Sequence, residues 1–462
     1  MDHSPSINAA RDVESLLHPY TNLERHRDTG PLIISGGKGI EVFDENGKAY
    51  IEGMAGLWCT SLGWGEERLA AAAERQIRKL GFYHSFSSKS HEPAIDLAAQ
   101  LLSLLPVPMS KVFFANSGSE AIDTAIKIIW YYNNARGKSA KKKIIARQRA
   151  YHGVTLAAAS LTHLPNNQRG FDLPLAGFLQ TDCPHHYRYA KADETEEQFS
   201  SRLAENLEGL ILAEGPDTIA AFFAEPVMGA GGVLTPPAGY FEKIQAVLRR
   251  HDILLVADEV ICGFGRTGRM FGSETYGLRP NMIAMAKGLS SGYLPISALA
   301  IDEEIYTTIA ALSAEIGIFG HGFTYGGHPV ACAVALETLA IYRERDILRH
   351  VQRMAPVLQD GLRSLAQHPL VGEARGIGLI GALELVSDKD RKSPFAPQAA
   401  ITARAVTFAQ EEGLILRAIG DALALCPPLI ISEDQIGTLL ERTRRALDRT
   451  WQWAQEAGLV SR

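Results

Sequence analysis

The amino-acid sequence predicts an α/β protein: a mainly parallel sheet with flanking helices, plus a smaller α+β domain. Three observations predict it. Between residues 92 and 310, short runs of Ile, Val, Leu, Phe and Ala alternate with stretches of helical spacing, the pattern of strands buried on both faces and joined by crossover helices. Two of those runs end in an ionisable group, 253–257 reaching Asp258 and 282–286 reaching Lys287. A third, 111–115, runs into Asn116-Ser117-Gly118-Ser119 at the start of a helical segment. Ligands of such sheets bind beyond the carboxyl ends of the strands, where all three features fall.

In chain order, residues 1–30 are polar and weakly patterned around His18-Pro19-Tyr20, an arm with a short helical piece. Alternating apolar residues from 32 to 51 predict a small meander turned at Asn46-Gly47. The glycine- and tryptophan-rich 53–65 stretch suits a loop lining a cavity. Helical spacing follows at 66–80, and the alternating region reads as helices 92–105, 118–135, 198–213 and 238–250. Its strands are 111–115, 143–147, 219–224, 253–257, 282–286 and 296–301. After a glycine-rich loop at 317–328 come helices 329–343 and 346–366, strands near 377–385, 414–417 and 422–426, and helices 398–411 and 433–454. The expected organisation is 1–65 as an arm and meander contributing to the small domain, 66–330 as a large ligand-binding domain, and 331–462 as linking helices and the C-terminal small domain.

Composition narrows the function classes. The 462 residues are 46% hydrophobic and 21% charged, which describes a globular chain rather than a disordered one. A net charge of -6 with no dense basic patch beyond Lys141–Lys143 argues against nucleic-acid binding. No apolar stretch is long enough for a membrane span, and residues 1–11 lack the apolar core of a signal peptide, so a cytoplasmic location is expected. The five cysteines show no C-x-x-C, and His321, His328 and Cys332 match no familiar zinc spacing, so no metal is expected.

An Asp and a Lys at two strand ends, Asp258 and Lys287, suit a pyridine cofactor, the lysine bonded to its aldehyde and the carboxylate facing its ring nitrogen. Taken singly, Asp258 reads equally well as a turn cap and Lys287 as a solvated strand end. The 116–121 turn could hold a phosphate on free helix amides or be an ordinary cap through Ser117. Tyr151 could stack on a flat ring or pack under a loop. Glu225 ends the 219–224 strand in another carboxylate, with Pro226 fixing the chain beyond it. Gly263-Phe-Gly265-Arg-Thr-Gly268 spells a dinucleotide motif, but no acidic residue occurs from Thr275 to Ile301 to hold a ribose. These glycines are read as a loop.

In order along the chain, Asn116-Ser-Gly-Ser-Glu120, Tyr151-His-Gly153, Glu225-Pro226, Asp258 to Gly268, Ala286-Lys287-Gly288 and Gly322-Phe-Thr-Tyr325 resemble the class III (ω-type) aminotransferases, pyridoxal-phosphate enzymes of fold type I. The likeness runs from His18 to Pro428. It implies pyridoxal 5'-phosphate as cofactor, Lys287 as catalytic residue and covalent anchor, and Asp258 on the ring nitrogen. It also implies Val260 and Tyr151 on the two ring faces, Ser117, Gly118 and Ser119 at the phosphate, and Glu225 near the ring. Thr324 would come from the other subunit of a homodimer with shared active sites, alone or in a dimer of dimers.

Within the family, the chain is most similar to the amine:pyruvate and polyamine:pyruvate branch. Ala230 stands where ornithine- and GABA-type members carry the glutamate that pairs with an arginine matching Arg417. Tyr20, Trp58, Tyr83, Phe86, Tyr151, Ala230 and Arg417 are the substrate residues this resemblance implies, Arg417 binding the carboxylate of a keto acid. The expected reaction moves an amino group from a primary amine, aryl, alkyl or diamine, to pyruvate or a similar keto acid. An ω-amino-acid transaminase, or a decarboxylase or aminomutase on the same fold, is the alternative.

Overall fold

The computed structural model describes residues 6–460. Seven strands form its central sheet, in the spatial order Lys111–Ala115, Ser297–Ile301, Met282–Met285, Leu254–Asp258, Ile219–Ala224, Lys143–Arg147 and Phe178–Thr181. Every residue of the 219–224, 254–258, 282–285 and 297–301 strands is buried, which is why they are continuous apolar runs rather than alternating ones. The sheet is mainly parallel. The exception is 297–301, antiparallel to both of its neighbours.

Helices cross between these strands with capped ends. Gly118–Ala135 starts on a capping box in which the Ser117 hydroxyl accepts from Glu120 N while the Glu120 carboxylate accepts from the Ser117 backbone. Glu196–Glu214 begins on the same device, built from Thr195 and Gln198. The 219–224, 254–258 and 282–285 strands run parallel side by side, so Glu225, Asp258 and Lys287 emerge at one edge of the sheet.

Beyond the paired helices Pro329–Glu344 and Ile347–Leu365, an antiparallel four-stranded sheet takes the order Val371–Ile377, Ile380–Leu385, Ala422–Leu425, Arg417–Ile419. The 377–385 region is thus two strands. Gly378, at φ +58, makes the turn pressed against the backbone of Arg266 and Thr267, where a Cβ would sit 2.3 Å from the Arg266 carbonyl oxygen. The 414–417 region is also divided: Leu414–Ile415 leaves this sheet and pairs in parallel with Ala49–Glu52 of the N-terminal meander. Chain ends far apart in sequence therefore share one sheet.

The sequence pattern also passed over the strand 178–181 and the helix Glu303–Ile316, which Asp302 caps by accepting from Ile305 N. The 263–268 glycines lie in a loop, with the buried Arg266 donating to the carbonyl oxygens of Leu379 and Pro427. No helix among the described residues is long and apolar enough to cross a membrane.

Candidate active site

A cavity of about 460 Å³ opens at the carboxyl edge of the central sheet. Its lining brings together Ser117, Gly118, Ser119, Tyr151, Glu225, Asp258, Val260 and Lys287, all expected from the sequence, with Cys59, His152 and Ile261 beside them.

Asp258 closes the 254–258 strand at 4% exposure. One carboxylate oxygen, Oδ1, accepts from Val260 N at 3.1 Å, and Oδ2 lies 2.8 Å from His152 Nδ1. The imidazole is fully buried and its Nε2 has no hydrogen-bond partner among the described residues, though it sits 3.6 Å from Glu225 Oε2. Arg147, also buried, donates through Nη2 to the Glu225 carbonyl oxygen at 2.6 Å and to Oε2 at 2.8 Å. Glu225 Oε1 accepts from Tyr151 N. Two carboxylates, an imidazole and a guanidinium thus form one chain of contacts under the cavity, and a buried charge set of this kind holds only when each member is paired.

Lys287 follows the 282–285 strand with φ +48, a left-handed backbone that a non-glycine residue adopts only where its surroundings hold it. Burial lowers its amine pKa below the ordinary lysine value, with the charges of Cys59 and Asp258 opposing that shift. A lysine that sheds its proton readily is a competent nucleophile and base.

At the opposite wall, the 118–135 helix points its N-terminus into the cavity. Gly118 lies flush against Val260, where a Cβ would meet the valine methyls at 3.2 Å. Gly153, at φ +133, is packed on Ser119, whose Oγ accepts from Val154 N. These contacts leave bare helix amides and small side chains facing the space, a cradle for a phosphate. The donor set fits a phosphorylated pyridine aldehyde: a buried lysine, a carboxylate with an imidazole behind it, and a helix N-terminus on one cavity.

Tyr20 and Arg417 stand over the mouth. The Tyr20 hydroxyl is 3.5 Å from that of Tyr151, and the Arg417 guanidinium lies 6.0 Å from the centroid of the Tyr20 ring. Among the described residues Arg417 has no carboxylate within ion-pair distance. Other sequence-expected residues lie outside the lining. Trp58 is buried in a cluster with Met54, Val227 and Cys262, and Ala230 is half-buried on the 228–234 turn next to Gly229, which packs on Ile261. Tyr83, Phe86 and Thr324 are exposed, and Phe86 packs on Gly322 of the loop that carries Thr324. Sequence reasoning missed His152 and Arg147. His152 sits inside the Tyr151–Gly153 motif, and only its contact with Asp258 distinguishes it.

Fold and site define a phosphopyridine-dependent enzyme with a lysine at its centre. The family model for class III aminotransferases matches residues 23–447, and the chain belongs to that family. It is a pyridoxal-phosphate-dependent aminotransferase of fold type I. The chain is 51% identical over 436 residues to the chloroplastic gamma aminobutyrate transaminase 3 of Solanum lycopersicum, covering 94% of this chain and 84% of the relative. An omega transaminase from Pseudomonas jessenii, solved in complex with PMP, is 56% identical with a TM-score of 0.96 over 98% of this chain and 99% of its own. A transaminase solved with L-alanine is 57% identical with a TM-score of 0.90, over 91% of this chain and 99% of its own.

Proposed function

We propose that this aminotransferase takes the amino group of a terminal primary amine, an aryl or alkyl amine or a diamine, and gives it to pyruvate or a similar keto acid. The observation that carries the reading is Arg417 at the cavity mouth with no carboxylate partner among the described residues. An unpaired guanidinium is free to receive the carboxylate of a keto acid, and an aromatic neighbour gives an apolar amine a surface when that carboxylate is absent. The transaminase solved with L-alanine, the amino acid that pyruvate becomes, supports the choice of acceptor.

The bound cofactor supplies an electrophilic aldehyde and a ring that accepts electrons. Lys287 would hold the cofactor, and its Nζ, with a pKa lowered by burial, would carry the proton off the amine-bearing carbon. Asp258, held in place by His152, would keep the ring nitrogen protonated. Ser117, Gly118 and Ser119 would hold the phosphate, and Val260 and Tyr151 would flank the ring. Glu225, fixed by Arg147, anchors the backbone of Tyr151. Tyr20 shapes the substrate end from this chain. Tyr83 and Phe86, exposed outside the lining, would reach a substrate only in the partner's site, and Trp58 and Ala230 would act on it through the residues that line the cavity. The two half-reactions share one site, so kinetics are ping-pong.

Thr324 on an exposed loop, with Tyr83 and Phe86 on the same surface, supports a homodimer in which each chain completes its partner's site. The cytoplasm is the compartment we propose; the tomato relative is named for the chloroplast. That same name favours a second reading, an ω-amino acid as donor. Holoenzyme mixed with 1-phenylethylamine, putrescine or 4-aminobutyrate should lose its visible cofactor band, and pyruvate should restore it. Bleaching by 4-aminobutyrate alone would replace the first reading with the second. No bleaching with any amine would overturn both.

A further inference from the structure

We propose that Asp12, His18 and His26 form a binding site for a divalent transition-metal ion of the zinc class, which pins the N-terminal arm over the mouth of the substrate cavity. The helix Ile7–Ser15 supplies Asp12, the helix Leu23–Thr29 supplies His26, and the turn between them supplies His18. Asp12 Oδ1 lies 2.7 Å from His18 Nε2 and 3.2 Å from His26 Nε2, and the three atoms fall within 4.8 Å of one another. Ligand atoms of a tetrahedral zinc site stand about 3.3 Å apart, as its bond lengths of roughly 2.0–2.2 Å require. The Asp12–His26 edge at 3.2 Å already matches that spacing, and the Asp12–His18 edge at 2.7 Å is a hydrogen-bond length that would open by about 0.6 Å on coordination.

Its chemistry is selective. Two imidazoles and one carboxylate favour zinc, nickel or copper over magnesium or calcium, which prefer oxygen ligands. The side chains are 10–24% exposed, which shields the ligands yet leaves one side open for water as a further ligand. A second cluster, His185, Glu373 and Glu384, differs in the respect that matters. Its carboxylates are held by guanidinium groups, Arg375 on both and Arg188 on Glu384, so its positive charge is built in. Asp12 has no lysine or arginine partner among the described residues.

Occupancy would act on the active site through the backbone. His18 is two residues before Tyr20, whose backbone has φ +52, whose hydroxyl faces Tyr151 and whose ring faces Arg417. An ion that fixes His18 limits how far Tyr20 moves, and so holds its ring in place where it contacts the bound amine.

The test titrates EDTA-treated, desalted holoenzyme with zinc in a calorimeter. One ion per chain is expected, with affinity weakened roughly 10- to 100-fold in Asp12→Asn and in His18→Gln. These two positions are partly exposed, and an unchanged cofactor spectrum checks that each variant is folded. Cobalt should give a visible d–d band in the parent enzyme that His18→Gln lacks. Less than one zinc per chain, or an affinity in both variants equal to that of the parent, would overturn the proposal and leave a hydrogen-bonded trio. Removal of metal should also raise KM for the amine about tenfold with little change in kcat. That last arm rests on Tyr20 shaping the substrate end; the calorimetric arm does not, so failure of one reading is distinguishable from failure of the other.

Discussion

His152 Nδ1 stands 2.8 Å from Asp258 Oδ2, with both side chains buried at the carboxyl edge of the central sheet. The pair puts a hydrogen-bonding group behind the carboxylate that faces the cofactor. A hydrogen bond to a buried charged group contributes about 1.5–3 kcal/mol, or roughly 10- to 100-fold in a rate that depends on it. His152→Ala should therefore lower kcat by about that factor and shift the pH profile and cofactor spectrum together. His152→Gln, able to donate to Oδ2, should recover part of both. A purely packing role would leave the spectrum unmoved.

Gly153 packs against the turn that starts the 118–135 helix. A Cβ there would lie 2.5 Å from Ser119 Oγ and 2.8 Å from Ser119 Cα, at a φ of +133 that alanine resists. Gly153→Ala should push Ser119 out of the phosphate cradle. Cofactor affinity measured by absorbance should weaken about tenfold or more, with a stability loss of about 1–3 kcal/mol in the apoenzyme.

What the sequence made legible was set by local signals. The strand runs ending in Glu225, Asp258 and Lys287 announce themselves, because a buried parallel strand is continuous in apolar residues and its end is marked by the first polar one. The 303–316 helix did not: of its residues only Ile305 and Ile309 are buried, so its apolar stripe is too thin to stand out. The 178–181 strand is a four-residue edge with a mixed burial pattern. The separation of Leu414–Ile415 from Arg417–Ile419 depends on pairing with Ile51 and Glu52, hundreds of residues away. His152 and Arg147 were invisible for the same reason, since their partners come from other strands.

Glu52, which ends the Ala49–Glu52 strand, accepts a hydrogen bond from Gly56 N in the loop leading to Trp58 and Cys59. Burial raises its carboxyl pKa from the ordinary 4.5 to about 7, opposed by the backbone N–H groups of Gly56 and Met54. A folded-state value above the unfolded one means the native state binds the extra proton. The resulting stabilisation is full below pH 4.5 and is lost as pH rises through about 7. Thermal unfolding across that window should show the parent losing stability with rising pH relative to Glu52→Gln, whose profile should be flatter. Parallel profiles would contradict the assignment.

Lys287 has both the position and the lowered pKa for a group that carries the substrate's proton. Lys287→Ala should remove about 10⁴-fold or more of turnover, the upper range for general acid–base work. The phosphate cradle and Asp258 are untouched by the change, so the variant should still retain cofactor, released more readily on dialysis. Added methylamine, a small base, should restore part of the proton-transfer rate in Lys287→Ala but have little effect on the parent.

Arg417 and Tyr20 meet at 6.0 Å between guanidinium and ring centroid, so the charge that would bind a keto acid rests on an aromatic face. Truncating one member of a hydrogen-bonded charge pair costs roughly 2–5 kcal/mol, whereas an apolar amine makes no such pair with the guanidinium. Arg417→Ala should therefore weaken the pyruvate half-reaction by about 30-fold or more while changing the 1-phenylethylamine half-reaction by less than about threefold. Single-turnover absorbance measurements separate the two. Equal losses in both would mean that the arginine supports the mouth of the cavity rather than binding the acceptor. With 4-aminobutyrate as donor, the same variant should lose both halves, because that amine carries a carboxylate of its own.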